Sequence, residues 1–206
     1  QEYDEERSQN YEIGIKGRAW KNKLLFTAAG FHTVWQNLQF TQSYSPSVNP
    51  LQNAGKAESR GLEASLALRF NSRVSFFGSA SWQDTRFAAS KKANGTFIKD
   101  RQLPYAPDYS FTIGTLVNQP LSAKWSLYTR IDLQTIGSFH FDAQNSSTQD
   151  AYTLANFRLG VRDNAWFAEA FVNNAFDAEF VSLATANQVG ENGAPLTFGL
   201  RAGVRF

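Results

Sequence analysis

The sequence is dominated by an alternation of apolar and polar side chains with a period of two residues. Between Leu62 and Phe70 every second residue is apolar, and the alternation resumes from Val74 to Trp82 after a short polar break. The same pattern recurs at residues 109–117, 125–135, 155–161, 166–172 and 198–206. Because successive side chains of a strand point to opposite faces of a sheet, these runs predict β-strands with one apolar face.

The connections between the predicted strands alternate in length. Nine strands are expected, at residues 11–20, 24–40, 58–70, 74–83, 109–117, 125–135, 152–161, 166–174 and 196–206. Short connections follow strands one, three, five and seven, whereas long polar ones cover about 41–57, 85–107, 137–151 and 175–195. Short turns at one end and long loops at the other are typical of an outer-membrane β-barrel. The predicted fold is therefore all-β, an antiparallel transmembrane β-barrel with extracellular long loops.

Three of the short turns also predict how neighbouring strands face each other. If Phe70 faces Val74, apolar residues meet apolar ones and polar residues mostly meet polar ones on both faces. This register pairs Leu68 with Phe76, Leu66 with Gly78, Ser65 with Ser79 and Glu63 with Ser81. Two further registers, Val161 facing Trp166 and Trp20 facing Leu24, pair Phe157 with Ala170, Arg158 with Glu169 and His32 with Glu12.

Composition excludes several other classes of protein. The 206 residues carry 20 basic and 18 acidic side chains, a net charge of +2, which gives no electrostatic basis for nucleic-acid binding. Aromatic residues at 15% argue against disorder, and the absence of cysteine removes disulfides and thiolate chemistry. No run of about 20 mostly apolar residues predicts a membrane-spanning helix.

The predicted number of strands is odd, whereas single-chain bacterial barrels have even numbers. We therefore expect the first strand to descend from an extracellular loop at residues 1–10, and the chain to be one part of a larger barrel wall. The chain does not begin with Met and shows no signal-peptide pattern, which also suggests a processed or excised segment. The strands at 11–20 and 198–206 should then pair with strands outside this sequence.

Several segments, in this order, resemble the C-terminal half of a TonB-dependent outer-membrane receptor. They are YEIGIKG at 11–17, NAGKA at 53–57 leading to RGLE at 60–63, LPYAP at 103–107, and NNAFD at 173–177. The terminal Phe206 resembles the last residue of the family's assembly signal. Arg201 and Val204 depart from that signal, because the family favours a glycine and an aromatic residue at these places.

The resemblance implies that residues 1–206 are part of a plugged barrel of about 22 strands, with the plug domain and TonB box upstream. It implies an active transporter in the outer membrane of a Gram-negative bacterium, without enzymatic activity or cofactor. Such receptors most often import a ferric siderophore with energy relayed by TonB. The implied partners are outer-membrane lipid, the TonB complex, the barrel assembly machinery and the iron chelate.

Candidate substrate-binding residues lie in the long loops. Phe139, His140 and Phe141, together with Asn145, form an aromatic and polar loop that could contact an aromatic siderophore. A loop packed on its own aromatic residues is the alternative interpretation. Arg101, beside the LPYAP segment, could attract an anionic ferric complex.

The remaining polar residues give no motif for catalysis or metal binding. The two histidines are far apart in sequence and make no metal-ligand pattern. His32 either pairs with Glu12 in the lumen or is a solvated strand histidine. Eight charged strand residues are expected to form a wet lumen wall: Glu63, Arg69, Arg130, Asp132, Arg158, Glu169, Arg201 and Arg205.

Two other functions fit the same pattern. One is a complete small outer-membrane barrel that acts as a porin, adhesin or structural protein. The other is a soluble β-sandwich that acts as a binding module. A barrel sequence without an upstream plug would favour the first, and a monomer that needs no detergent would favour the second.

Overall fold

A computed structural model describes residues 4–41, 51–88, 92–93, 96–184 and 190–204. Every helix or strand assigned within these ranges is a β-strand. The described residues include no helix that is long and apolar enough to cross a membrane.

Nine strands form one antiparallel sheet, in the order β1-β2-β3-β4-β7-β8-β11-β12-β15. They are β1 (Arg7–Ala19), β2 (Leu24–Thr41), β3 (Leu51–Arg69), β4 (Val74–Phe87), β7 (Tyr109–Pro120), β8 (Ser126–Ile136), β11 (Tyr152–Arg162), β12 (Trp166–Asn173) and β15 (Thr197–Val204). Three small hairpins lie in the loops: β5 (Lys92–Ala93) with β6 (Thr96–Phe97), β9 (Phe139–His140) with β10 (Thr148–Gln149), and β13 (Val181–Ala184) with β14 (Gly190–Asn192). Because the nine strands form one sheet with β1 and β15 at opposite edges, it is neither a two-sheet sandwich nor a closed small barrel.

All nine predicted strands are confirmed, although four of them extend at least three residues beyond a predicted limit. β1 begins at Arg7, within the predicted loop at 1–10, and β7 ends at Pro120. β3 begins at Leu51 and β4 continues to Phe87, beyond the limits of 58 and 83 that the alternation indicates. The pairing of β2 with β3 shifts register between Trp35 and Gln39, where Asn37 and Gly55 adopt positive φ angles of 55° and 89°. Such irregular pairing interrupts the period of two, so sequence alternation cannot follow the strand through it.

The register divides the sheet into an apolar face and a polar face. The apolar face carries Ile13, Ile15, Phe26, Ala28, Leu62, Leu66, Phe76, Trp82, Phe111, Ile113, Ile131, Leu133, Phe157, Leu159, Ala170, Val172, Phe198 and Leu200. The polar face carries Lys16, Thr27, Glu63, Ser65, Ser79, Thr112, Arg130, Asp132, Asn156, Arg158, Glu169 and Arg201. Side chains on the apolar face have no protein layer over them: Ile113 and Leu159 remain 57% and 52% exposed. This is the arrangement of a barrel with lipid outside and a polar lumen inside.

The β3–β4 hairpin has the register that the sequence predicts. Leu66 faces Gly78 on the apolar face, and Ser65 faces Ser79 on the polar face. The side-chain oxygen of Asn71 accepts hydrogen bonds from the N–H groups of Arg73 and Val74, both at 2.8 Å. This side-chain to backbone bonding fixes the turn and therefore the register.

The predicted register of the β11–β12 hairpin is wrong by two residues. Phe157 faces Val172 instead of Ala170, and Glu169 faces Gly160 instead of Arg158. The physical reason is the turn at Asp163, whose carboxylate accepts hydrogen bonds from the N–H groups two and three residues later, at 2.8 and 2.6 Å. A shift of two residues keeps each side chain on its predicted face.

The hydrogen bonds of this turn favour the charged form of the Asp163 carboxylate. The hydrogen bond from the Trp166 N–H group is the largest of the interactions that lower the pKa of Asp163, and together they outweigh the effect of desolvation. Lys124, from the neighbouring short turn, places its Nζ atom 3.2 Å from Asp163 Oδ2. The two turns at this end of the sheet are thereby connected.

The predicted pair of His32 with Glu12 is also wrong. His32 faces Tyr11, and Glu12 faces Phe31. The turn contains four residues, with a hydrogen bond from Lys23 N to Trp20 O and positive φ angles at three consecutive residues starting at Trp20. A shift of one residue exchanges the two faces, so His32 lies on the outer side of the sheet, away from Glu12.

On the polar face, aromatic rings lie over glycines of the neighbouring strand. A Cβ atom on Gly61 would lie 2.8 Å from the Phe31 ring and 2.3 Å from the carbonyl oxygen of Trp82. Directly paired residues make the same contact in four other places: Phe77 over Gly114, Tyr128 over Gly160, Phe171 over Gly199 and Phe167 over Gly203. Glycine is required at these positions because the rings occupy the space of a side chain.

The assignment of faces predicts opposite consequences for two neighbouring substitutions. In the full-length receptor, Leu66→Arg should lower the free energy of unfolding by roughly 2–4 kcal/mol, because an arginine on the lipid face near the bilayer midplane is costly. Ser65→Arg should cost much less, because it faces the polar lumen. Unfolding in urea, followed by electrophoresis of unheated samples, measures both.

If an upstream plug domain, as the resemblance implies, fills the lumen and crowds Ser65, the comparison should be repeated without it. Equal costs for the two arginines would then contradict the proposed position of β3 in the membrane. A larger cost for Ser65→Arg would mean that the two faces are reversed.

Candidate functional site: the mouth of the lumen

The two central long loops fold over the polar face at the extracellular end of the sheet. Ala57 and Phe87 face each other on this face, where the pairing of β3 with β4 ends, and both are fully buried. They pack with Ile98, which is also fully buried, and with Ala143 from the loop after β8. Because the covered wall residues, Ala57 and Phe87, face inward, the described residues of loops 88–108 and 137–151 lie across the mouth of the lumen.

The side chain of one asparagine makes hydrogen bonds to both of these loops. The Asn145 side-chain amide donates to the Gln102 carbonyl oxygen at 3.0 Å, and its oxygen accepts from the Gln102 N–H group at 2.8 Å. Asn145 also donates to the Asp142 carbonyl oxygen at 3.2 Å and adopts a positive φ angle of 56°. Both ends of the side-chain amide are therefore used to hold loop structure.

Three aromatic rings form a cluster beside this tie. The Phe139 and Phe141 rings lie 5.3 Å apart in an edge-to-face arrangement, and the Tyr105 ring lies 6.0 and 5.6 Å from them. Phe139 is 8% exposed, whereas Tyr105 is 41% exposed. Phe139 forms the buried base of the cluster and Tyr105 its accessible edge.

Tyr105 connects the cluster to a third loop. Its hydroxyl donates to the carbonyl oxygen of Ala184 at 2.8 Å and accepts from the Ala184 N–H group at 3.3 Å. The hairpin β13–β14 is held a second time by Gln149, whose side-chain oxygen accepts from Val181 N at 2.8 Å. Three loops that are distant in sequence thus meet at one place.

The long loop that contains this hairpin is closed by another asparagine. Buried Asn174 donates to the carbonyl oxygens of Ala178 and Ala194 and accepts from the Ala178 N–H group. Asp177 accepts from the N–H group of Leu196 at 2.8 Å. These contacts explain the NNAFD motif structurally, since its polar residues bring the two ends of the loop together.

Four of the five predicted binding residues lie in one loop, and Arg101 lies in the neighbouring loop, next to the Gln102 that bonds to Asn145. The backbone carbonyl of Arg101 accepts from Phe87 N, and its exposed guanidinium has no hydrogen-bond or ion-pair partner among the described residues. His140 Nδ1 lies 2.9 Å from Thr148 Oγ1, and its carbonyl accepts from Tyr105 N. Phe139 and Asn145 are engaged within the loops, which is the packing that the alternative interpretation expects. Substrate binding by these five residues remains a prediction, and Phe206 lies outside the described residues.

Sequence reasoning did not single out Tyr105. The residue lies inside the LPYAP segment, which was interpreted as the entry to the following strand and not as part of a binding loop. The sequence feature that could have indicated a role for Tyr105 is its position between two prolines in a long polar loop.

The lumen wall below the mouth contains a buried carboxylate. Glu169 is 4% exposed, accepts a hydrogen bond from the Tyr128 hydroxyl at 2.9 Å, and lies 2.8 Å from Arg201 Nε and 3.8 Å from Arg158 Nη1. A second pair joins Arg130 to Asp132 at 2.8 Å. The seven described residues of the predicted lumen wall lie on the polar face, which confirms their placement, while Arg205 lies outside the described residues. Although Glu169 lies on this polar face, it is shielded from water by Tyr128, Arg158 and Arg201.

These features define the wall of an outer-membrane β-barrel whose loops cover its lumen. Residues 2–175 match the family model described as TonB dependent receptor-like, beta-barrel. The chain belongs to this family of TonB-dependent receptors, which confirms the resemblance. Members of the family are outer-membrane proteins of Gram-negative bacteria and not enzymes, and the chain shares this location and class.

Curated relatives match most of the chain. The pesticin receptor of Yersinia pestis is 26% identical over 191 residues, covering 88% of this chain and 26% of the relative. The catecholate siderophore receptor Fiu of Escherichia coli strain K12 is 27% identical over 222 residues, covering 100% of this chain and 26% of the relative. The chain thus spans about a quarter of the length of these receptors.

Solved structures share the fold. The ferric yersiniabactin uptake receptor FyuA from Yersinia pestis superimposes with a TM-score of 0.83 at 22% identity, covering 98% of this chain and 30% of FyuA. The ferric-catecholate import receptor Fiu from Escherichia coli superimposes with a TM-score of 0.73 at 24% identity, covering 99% and 28%.

The loop tie predicts a local effect of Asn145→Ala. The substitution leaves the Gln102 N–H group and carbonyl without their partner, and should destabilise the loops by about 1–3 kcal/mol while the barrel remains folded. Hydrogen exchange in the full-length receptor should show faster exchange at residues 98–108 and 139–147. Ser147→Ala is the control, since the Ser147 hydroxyl makes no hydrogen bond among the described residues. Unchanged exchange in Asn145→Ala would contradict the tie.

Proposed function

We propose that this chain is the C-terminal part of the barrel of a receptor that binds a ferric siderophore at its mouth and imports it with energy from TonB. The observation that carries the proposal is the assembly of three loops over the polar face, which contain an aromatic cluster and, next to the Gln102 that bonds to Asn145, the exposed Arg101. Receptors for catecholate siderophores and for ferric yersiniabactin among the similar proteins support the choice of substrate class.

The open edges of the sheet support a larger barrel, of about 22 strands, with a plug upstream. Ile13 on β1 and Leu200 on β15 are 83% and 85% exposed at the two edge strands. Unpaired backbone groups in hydrocarbon cost several kcal/mol each, so both edges need partner strands. The sheet therefore supports a wall of nine strands completed by other strands of the receptor.

The partners follow from this arrangement. The apolar face contacts outer-membrane lipid, and an upstream plug domain with its TonB box contacts the TonB complex. The barrel assembly machinery would recognise the end of the chain at Phe206. The iron chelate is the ligand of the loops.

The five candidate residues take two kinds of role in this proposal. Arg101, His140 and Phe141 contact the substrate, because a cation and aromatic edges suit an anionic aromatic chelate. Phe139 and Asn145 act as positioning residues that hold the loop in place. Tyr105 joins the contacting group through its exposed ring.

Uptake of substrate by cells that express the whole gene tests the function. We expect TonB-dependent accumulation of radiolabelled iron supplied as ferric siderophore, and none of labelled cobalamin. Uptake of cobalamin alone would contradict the siderophore assignment. Passive flux that persists without TonB would contradict active transport and favour a porin.

A charge substitution tests the role of the mouth. Arg101→Gln should reduce ferric-siderophore uptake at limiting concentration by about twofold to fivefold, the size expected for one exposed charge. The effect should weaken at high salt because solvent-exposed charges are screened. Lys21→Gln, which removes the same charge from a turn at the opposite end of the strands, is the matched control. Equal uptake by both variants would contradict the role of Arg101.

A further inference from the structure

Charged residues occupy the outer side of the sheet beyond the extracellular end of its apolar face. Arg60 faces Asp84 and Glu58 faces Arg86, on the same side of β3 and β4 as Leu62 and Trp82. Lys56 continues this alternation two residues beyond Glu58. We call Lys56, Glu58, Arg60, Asp84 and Arg86 the charged strip. These residues face away from the lumen, so the proposed transport path does not use them.

The charged strip lies at the level of the membrane surface. A tilted barrel strand crosses the hydrocarbon with about 9–11 residues. Eleven residues, 60–70, lead from the β3–β4 turn to Arg60. Trp82 and Tyr109 face each other on the row that also contains Leu62, which is the position of an aromatic girdle. Arg60 is therefore the first outward-facing residue beyond the girdle.

The basic groups of the strip are accessible in the barrel wall. β3 and β4 are interior strands with both edges paired, so strands outside this chain would not cover them. The side chains of Lys56, Arg60 and Arg86 are 48%, 59% and 43% exposed.

Two carboxylates hold these bases in place without neutralising them fully. Glu58 lies 2.7 Å from Lys56 Nζ and 3.4 Å from Arg86 Nη2, and Asp84 lies 2.8 Å from Arg60 Nη2. Three cations face two carboxylates, which leaves an excess charge of +1. The less exposed of the carboxylates, Glu58, is 19% exposed, so the bases form the outer surface of the strip.

We propose that the charged strip binds the phosphate groups of the glycolipid headgroup in the outer leaflet of the outer membrane. Basic side chains at a membrane surface attract anionic lipids, and the guanidinium groups of Arg60 and Arg86 have a geometry suited to phosphate oxygens. The site would anchor the receptor to lipid A phosphates at the level where the apolar face ends. This lipid site is separate from the proposed transport function.

Binding of lipid A to the full-length receptor in neutral detergent tests the proposal. The triple variant Lys56→Gln, Arg60→Gln, Arg86→Gln should bind diphosphoryl lipid A about 100-fold more weakly, at about fivefold per basic group. Dephosphorylated lipid A should bind equally weakly to both proteins. The control Lys16→Gln, Arg18→Gln, Arg69→Gln removes the same charge from the polar face and should change binding by less than about twofold. Excess inorganic phosphate should not displace the lipid.

A second variant distinguishes lipid binding from a purely internal ion-pair ladder. Glu58→Gln with Asp84→Asn frees all three bases and should strengthen binding of diphosphoryl lipid A by about tenfold. Unchanged or weaker binding by this variant would overturn the proposal, as would equal loss in the control or binding that ignores the phosphates. If the triple variant does not fold, as judged by electrophoresis of unheated samples, the variant Glu58→Gln with Asp84→Asn decides whether the charged strip binds lipid A. Siderophore uptake is not part of the readout, so failure of the transport proposal leaves this test intact.

Discussion

The fold depends on the need to pair every backbone N–H and C=O group inside a hydrocarbon layer. In a sheet this pairing is possible only if each strand has neighbours at both edges. The seven interior strands meet the requirement within the chain, while β1 and β15 present open edges. The same constraint explains the division of side chains, since a wall with lipid on one side and a lumen on the other needs strict alternation. It also explains why functional loops lie at the strand ends, where water can satisfy irregular backbone.

Most of the wall could be predicted because alternation determines which residues form strands and which face each occupies. The register of neighbouring strands was harder to predict, because it depends on turn geometry that alternation does not encode. Asn71 and Asp163 bond in the same way to the N–H groups two and three residues later. At Asn71 this turn matches the alternation, whereas at Asp163 it places the turn at residues 163–166, one residue later than predicted, and moves the register by two residues without exchanging the faces. At Trp20 consecutive left-handed residues shifted the register by one, which placed His32 on the outside.

The location of the mouth of the lumen could be predicted from the sequence, but the contacts between its loops could not. The loop that contains the aromatic residues is bonded to the loop that contains Arg101, through Asn145 and Gln102. Which aromatic ring is buried and which is exposed depends on contacts between loops that are distant in sequence. The Tyr105 hydroxyl bond to Ala184 joins residues 79 positions apart, and no local pattern indicates such a contact. Asn145 similarly resembled a ligand-binding residue in sequence but serves the backbone of a neighbouring loop.

The glycine–aromatic contacts on the polar face have a consequence for the space inside the barrel. Five of the inward-facing aromatic residues have rings that lie along the wall over a glycine of the adjoining strand. A bulky inward side chain would otherwise project into the lumen and narrow it. Glycine thus allows the wall to carry rigid rings without narrowing the lumen. A larger residue at Gly61 or Gly114 would turn the ring toward the barrel axis and convert a wall contact into an obstruction.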